Sequence, residues 1–181
     1  VLSVQIISTY ANSGILPDII CTDKTGTLTT GIMTPKKIID GFGNDVNKDS
    51  ILWDNIKANI SLNNSATFDS ENNITGGNSI DRAVLSLVNP ETYVDIQEKY
   101  PVKLKQVFNS SNKYSAFTTK DGVTYYKGAP EKLIEHCTKV MNSSGEIVEN
   151  SDKDALSNAI TAMTSNAMRC IAVTMADGDL V

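Results

Sequence analysis

The stretch Ile19-Ile20-Cys21-Thr22-Asp23-Lys24-Thr25-Gly26-Thr27-Leu28-Thr29 begins as a short apolar run and continues as a polar loop. An apolar run bounded by turn residues is typical of a buried strand. Asp23 then lies where a strand of an open α/β sheet gives way to a loop, which is where such sheets bind ligands. Gly26 permits a close turn around an anion. The hydroxyls of Thr25 and Thr27 can donate to phosphate oxygens, so the stretch predicts an α/β fold with an anion site.

Asp23 is a candidate nucleophile toward phosphorus. A carboxylate can attack a phosphoryl group and form an aspartyl-phosphate. Because like charges repel, this carboxylate can approach a polyanion only with positive charge beside it. Lys24 supplies one positive charge, and a divalent cation, which we expect to be Mg²⁺, supplies more. The sequence therefore predicts phosphoryl transfer at Asp23.

The run from Asp23 to Thr29 resembles, at every position, the signature of the P-type ATPases, ion pumps that phosphorylate themselves on an aspartate. The resemblance implies that Asp23 is phosphorylated, that Asp23 and the backbone carbonyl of Thr25 bind Mg²⁺, and that Thr27 contacts the phosphoryl group. In the wider haloacid-dehalogenase-like superfamily, the residue two positions after the nucleophile is often a second aspartate that acts as acid and base. A threonine cannot transfer that proton, so the acyl-phosphate should hydrolyse slowly.

Composition excludes several other classes of protein. The chain has 181 residues and a net charge of −5, which argues against a dedicated nucleic-acid surface. Its three cysteines lack Cys-x-x-Cys spacing, and with a single histidine they indicate neither a zinc site nor a disulfide framework. No apolar run approaches the ~18 residues that span a bilayer. We therefore expect a soluble piece without a membrane segment, which the resemblance places at the cytoplasmic face of a membrane.

Later in the chain, several residues could together hold a purine nucleotide. Such a site needs a face on which the ring stacks, a cation near the phosphates, and a backbone position without a side chain. Phe108 offers the stacking face, and Lys127 with Gly128 offers a cation beside a glycine. Lys113 and Arg169 offer further positive charge. Each signal is weak alone, because phenylalanine is by default a core residue and lysine or arginine a surface charge.

Two segments around these residues are similar to the nucleotide-binding domain of the P-type ATPases. The run Lys127-Gly128-Ala129-Pro130-Glu131 matches the Lys-Gly-Ala-Pro-Glu motif of that domain at every position. The segment Phe108-Asn109-Ser110, followed by Lys113, resembles the segment that stacks on adenine, with Ser110 where a basic residue is usual. The resemblance implies that Phe108, Lys113, Lys127 and Gly128 bind ATP.

Two further segments resemble the same domain, and all four occur in the order that the family has. The run Met168-Arg169-Cys170-Ile171-Ala172 is similar to its Leu-Arg-x-Leu-Ala strand. The run Gly77-Asn78-Ser79-Ile80-Asp81-Arg82-Ala83 is similar to its Gly-Asn-x-Thr-Glu-x-Ala helix start, where the acidic residue lies beside the base. Asp81 is one methylene shorter than the usual glutamate. The resemblance implies that Arg169 and Asp81 also belong to the ATP site.

The expected fold is α/β: a largely antiparallel sheet with flanking helices, as in the P-type ATPase nucleotide-binding domain. Residues 1–34 should form the N-terminal part of the phosphorylation domain, and residues 35–181 the nucleotide-binding domain. Periodicity and turn signals predict the individual elements. Helices are expected over residues 49–62, from Asn78 to Pro90, over 91–100, from Pro130 onward and after a capping box at Ser151. Strands are expected over residues 36–40, 102–108, 114–119, 123–127 and 168–175, with a loop over 63–77.

The resemblance implies the ATP-binding cytoplasmic domain of a cation-transporting P-type ATPase, in which ATP phosphorylates Asp23. The partners would be the remaining phosphorylation, actuator and transmembrane domains of the same pump. The Thr-Thr-x-x-Met pattern over residues 29–33 favours calcium as the cation. The later magnesium-binding loops of the family do not follow in this chain, so we expect it to bind nucleotide without phosphorylating itself. The alternatives are a soluble dehalogenase-superfamily phosphatase and a non-catalytic binding module.

Overall fold

The computed structural model of the chain describes residues 30–149 and 153–177. The chain divides after Met33 into two units, and nearly all of the described structure belongs to the second, Thr34–Val181. The predicted strand before Asp23, the phosphorylation signature and the capping box at Ser151 lie outside the described residues.

The second unit alternates short helices and short strands. The helices are α1 (Ile51–Leu62), α2 (Ser79–Leu85), α3 (Pro90–Lys99), α4 (Pro130–Leu133) and α5 (Lys153–Ser165), with a 3₁₀ turn at Ile134–His136. The strands are β1 (Ala66–Phe68), β2 (Ile74–Gly76), β3 (Val102–Gln106), β4 (Tyr114–Thr119), β5 (Val123–Gly128), β6 (Lys139–Met141), β7 (Ile147–Glu149) and β8 (Ala172–Asp177). There are also two small hairpins: β1–β2 precedes the strands of the main sheet in sequence, and β6–β7 lies between its strands β5 and β8.

The main sheet has four strands in the order β3-β4-β5-β8, and every neighbouring pair is antiparallel. Gln106 pairs with Ala116, Tyr114 with Gly128, and Gly128 with Ala172. The ends of β3 and β5 therefore lie beside the starts of β4 and β8. We call this end of the sheet the Gly128 end. The antiparallel sheet with flanking helices confirms the predicted fold class.

Helix α1 attaches the sheet to the helical layer. Leu62 and Ala58 pack with Phe117 and Tyr125 of the sheet and with Ile96 of α3. Ser50 caps the start of α1, since its side chain accepts a hydrogen bond from the backbone N–H of Trp53. The side-chain amides of α1 also donate to sheet carbonyls: Asn59 to Tyr126 and Thr174, and Asn63 to Ser115 and Tyr125. The helix is thereby fixed in register across three strands.

Several predicted elements differ from the structure. The predicted strand over residues 36–40 is reduced to a single bridge between Ile39 and Asp45. The predicted loop over 63–77 contains the β1–β2 hairpin, whose polar turn closes because the Asp69 carboxylate accepts the N–H groups of Glu71 and Asn73. The helix predicted from Asn78 to Pro90 ends earlier, at Leu85. Pro90 instead starts α3, because a proline at the first helical position lacks an N–H that would be unbonded there anyway.

Candidate functional site

The Gly128 end of the main sheet gathers four of the predicted binding residues. Phe108 lies two residues after β3, and Lys113 immediately precedes β4. Gly128 is the last residue of β5. Arg169 was predicted to lie on the last strand, but it lies three residues before the start of β8. Because neighbouring strands run in opposite directions, these positions from distant parts of the sequence lie at the same end of the sheet. The Phe108 side chain is 56% exposed, so it is available to a ligand.

Gly128 brings the Lys-Gly-Ala-Pro-Glu run against the segment that precedes β4. The backbone N–H of Ala129 donates to the carbonyl of Lys113 at 2.9 Å. A Cβ atom at position 128 would lie 2.6 Å from the Cβ and 2.7 Å from the Cα of Tyr114. Since that approach involves backbone, the position accepts only glycine without a shift of one strand. Lys113 itself has a positive φ of 61°, which is unusual for a lysine.

Gly128→Ala should therefore destabilise the domain by about 1–3 kcal/mol, the usual cost of overpacking a tight site. Urea unfolding followed by circular dichroism measures this change. Gly122→Ala provides a comparison in which nothing lies within 4 Å of the added Cβ, so that any loss there comes from backbone strain at its φ of +90°. A Gly128→Ala variant as stable as the unsubstituted chain would contradict the close approach at Gly128.

Asp81 and Lys127 form a buried ion pair. The Nζ atom of Lys127 lies 2.6 Å from Oδ1 of Asp81, and the two side chains are only 7% and 10% exposed. Asp81 is in the first turn of α2, whose start is capped by the side chain of Asn78. Burial lowers the pKa of Lys127, and the hydrogen bond and charge of Asp81 partly offset that effect. The two predicted residues are thus brought together, and each neutralises the charge of the other.

Lys113 is paired as well. Its Nζ atom lies 3.2 Å from Oε1 of Glu131, the last residue of the Lys-Gly-Ala-Pro-Glu run. Both side chains are exposed, so this pair contributes little to stability. A hydrogen bond from its own backbone N–H, followed by the bond from Lys113, lowers the pKa of the Glu131 carboxyl. Both of the described lysines that were predicted to bind ATP therefore have a carboxylate partner.

Sequence reasoning missed two residues beside the buried pair. The Nζ atom of Lys105 donates to the backbone carbonyl of Asn64 at 2.9 Å. The side-chain amide of Asn64 in turn donates to the backbone carbonyl of Asp81 at 3.2 Å. No motif contains either residue. Lys105 lies on the same face as Phe117 because of the register of β3 against β4, which a single sequence does not specify.

None of the six predicted binding residues lines either of two cavities, of about 260 and 240 Å³, in the described part of the chain. The first lies between Ile39 and Met163, and the second between Lys36 and Leu87.

The other predicted site residues are not described. Asp23, Lys24, Thr25 and Thr27 all lie outside the described ranges. Within residues 30–149 and 153–177, no group of three histidine, cysteine, aspartate or glutamate side chains could hold a metal ion. None of the helices in those ranges has the length and apolar character needed to cross a membrane.

Residues 52–179 match the family model described as "P-type ATPase, cytoplasmic domain N". This chain belongs to the P-type ATPases. The matched part contains all four strands of the main sheet and the six predicted binding residues from Asp81 to Arg169. The family match confirms the resemblance and does not favour the dehalogenase-type phosphatase or the non-catalytic binding module.

Curated relatives of this P-type ATPase chain agree with the family match. It is 30% identical to a probable plasma membrane-type calcium-transporting ATPase 6 of Oryza sativa subsp. japonica, over 88% of the chain and 18% of the relative. It is 27% identical to calcium-transporting ATPase 1 of Saccharomyces cerevisiae, over 84% of the chain and 19% of the relative. It is 29% identical to the sodium/potassium-transporting ATPase subunit alpha-1 of Oreochromis mossambicus, over 77% of the chain and 16% of the relative. The chain thus spans about a fifth of the length of these relatives.

Proposed function

We propose that residues 35–181 are the ATP-binding domain of a cation-transporting P-type ATPase and that ATP binds at the Gly128 end of the main sheet. One observation carries this proposal: Phe108, Lys113, Gly128 and Arg169 lie at the same end of the sheet, although they are spread over 62 positions of the sequence, from 108 to 169. An exposed phenylalanine beside cations and a glycine provides the stacking face, the charge and the close backbone that a nucleotide needs.

Residues 1–34 are proposed to begin the phosphorylation domain. In the whole pump, ATP bound at the Gly128 end would transfer its γ-phosphoryl group to Asp23, with Lys24 and Thr27 beside it. Asp23 and the carbonyl of Thr25 offer oxygen ligands, which suit a hard cation such as Mg²⁺. Such a transfer depends mainly on positioning the phosphoryl group against the carboxylate and on neutralising the negative charge of the phosphates. The metal ion would supply positive charge for this when bound.

The partners of this domain would be the remaining phosphorylation, actuator and transmembrane domains of the same pump, at the cytoplasmic face of a membrane. The transported cation is proposed to be calcium. The names of two of the three relatives and the Thr-Thr-x-x-Met pattern over residues 29–33 support this choice.

Phe108→Ala should weaken ATP binding by about 1–3 kcal/mol, the range measured for base stacking on an aromatic ring, or about 5- to 150-fold in Kd. Isothermal titration calorimetry of ATP into the chain measures the change. Phe42→Ala is the matched control. Phe42 is also exposed, at 38%, but lies in a turn that packs on β6 through the contact of Gly41 with Val140.

The control should bind ATP with the affinity of the unsubstituted chain. Equal Kd values for the Phe108→Ala variant and the unsubstituted chain would remove Phe108 from the site. If the unsubstituted chain bound no adenine nucleotide, the proposed function itself would be wrong.

A further inference from the structure

The two lysines that the motifs supply to the site carry no uncompensated charge. Lys127 is paired with Asp81 at 2.6 Å, and Lys113 is paired with Glu131 at 3.2 Å. Each pair has a net charge of zero when both partners are ionised. A nucleoside triphosphate carries several negative charges, so besides Arg169 at the Gly128 end it needs further cations that are not already neutralised.

Lys105 lies on the same face of the sheet as Lys127. Lys105 pairs with Phe117 of β4, and Lys127 pairs with Ser115 of the same strand. Ser115 and Phe117 are two positions apart, so their side chains point to one face, and residues directly opposite them do so as well. The two lysines therefore lie on one face, on either side of β4.

Hydrogen bonds join Lys105 to the group around the buried pair. Its ammonium donates to the carbonyl of Asn64 at 2.9 Å, and the Asn64 amide donates to the carbonyl of Asp81 at 3.2 Å. Burial is the main cause that lowers the pKa of Lys127, and the positive charge of Lys105 lowers this pKa further. Lys105 itself is exposed, and none of the carboxylates in the described ranges forms an ion pair with it.

We propose that Lys105 is a further nucleotide-binding residue, which supplies to the phosphates the positive charge that Asp81 and Glu131 remove from the two motif lysines. An ammonium has three donors, of which the bond to Asn64 uses one and leaves two for a ligand. That bond also holds a flexible side chain in place, which reduces the entropy lost when it binds. The inference rests on the proposed function and adds a residue to the same site.

Calorimetric titrations of the chain with ATP and with adenosine test this inference. Lys105→Gln removes the charge and keeps a polar side chain, so ATP should bind about tenfold more weakly, as expected for the loss of one charge-assisted contact. Adenosine has no phosphate, and its affinity should change less than about twofold. Lys105→Arg should keep most of the ATP affinity. Added NaCl should reduce the difference between the unsubstituted chain and Lys105→Gln, because salt screens charge.

Lys120→Gln is the matched control. Lys120 is an exposed lysine in the turn between β4 and β5, at the opposite end of the same sheet. Its substitution should leave both affinities unchanged. Thermal unfolding of each variant shows whether the fold is kept.

Two results would overturn the inference alone, in a chain that binds ATP. Equal ATP affinity with and without Lys105 would exclude it from the site. An equal loss for ATP and adenosine would show that Lys105 acts on the packing of β3 and not on phosphate. Absence of ATP binding by the unsubstituted chain would overturn the proposed function and this inference together.

Discussion

Asp81→Ala should lower the free energy of unfolding by about 3–5 kcal/mol, the range found when one partner of a buried ion pair is removed. The substitution leaves the Lys127 ammonium buried, with a side chain only 7% exposed, and without its partner at 2.6 Å. Urea unfolding at neutral pH measures the change. Glu131→Ala is the control, since it breaks the exposed pair with Lys113 and should cost at most about 1 kcal/mol.

The same variant provides a pH test. Without Asp81, burial and the Lys105 charge both lower the pKa of Lys127, and nothing offsets them. The unfolded chain then binds more protons than the folded one between the lowered pKa and the ordinary value of 10.5. The free energy of unfolding of Asp81→Ala therefore rises with pH in that window. Its deficit relative to the unsubstituted chain should be smaller at high pH than at pH 7. A deficit below about 1 kcal/mol at pH 7 would contradict the buried pair.

Phe117→Ala should also lower the free energy of unfolding by about 3–5 kcal/mol, the range for truncating a buried phenylalanine. Phe117 is 1% exposed and packs between the sheet and the helices, against Leu62 of α1 and Ile96 of α3. Truncation leaves a cavity at the contact that holds β4 to the helical layer. The measurement is again urea unfolding.

Phe108→Ala is the matched control for Phe117→Ala. Phe108 is 56% exposed, so its truncation should change stability by less than about 0.5 kcal/mol. The two variants thus compare a phenylalanine of the core with the exposed phenylalanine that we propose binds ATP. Similar losses of stability in both would contradict the assignment of Phe117 to the core.

The sequence singles out candidate binding residues, but it does not show which of their side chains contact one another. Motifs singled out Asp81 and Lys127 separately, but they are 46 positions apart, and no local pattern says that they touch. Their pairing accompanies the packing of Val84 and Leu85 of α2 in the same apolar cluster as Val173, which lies opposite Lys127 on β8. The place of Lys105 beside this pair depends on the register of β3 against β4, which a single sequence does not specify.

Local chemistry also explains which elements could be predicted. Strands β4 and β5 have β-branched and aromatic residues around an Asp121-Gly122 turn, and both were predicted within one residue. The β1–β2 hairpin has only three residues in each strand and lies in a polar segment, so periodicity could not reveal it. Its strands are fixed by tertiary packing, since Ala66 is buried against the cluster that contains Trp53.

An NMR titration of the isotope-labelled chain with ATP shows whether ATP binds at the Gly128 end of the four-stranded sheet. We predict that the backbone amide signals of residues 107–113, 127–129 and 168–171 shift with a common Kd. The signals of residues 119–123, at the opposite end of the sheet, should stay in place. Shifts confined to residues 119–123, or no shifts at saturating ATP, would exclude ATP binding at the Gly128 end.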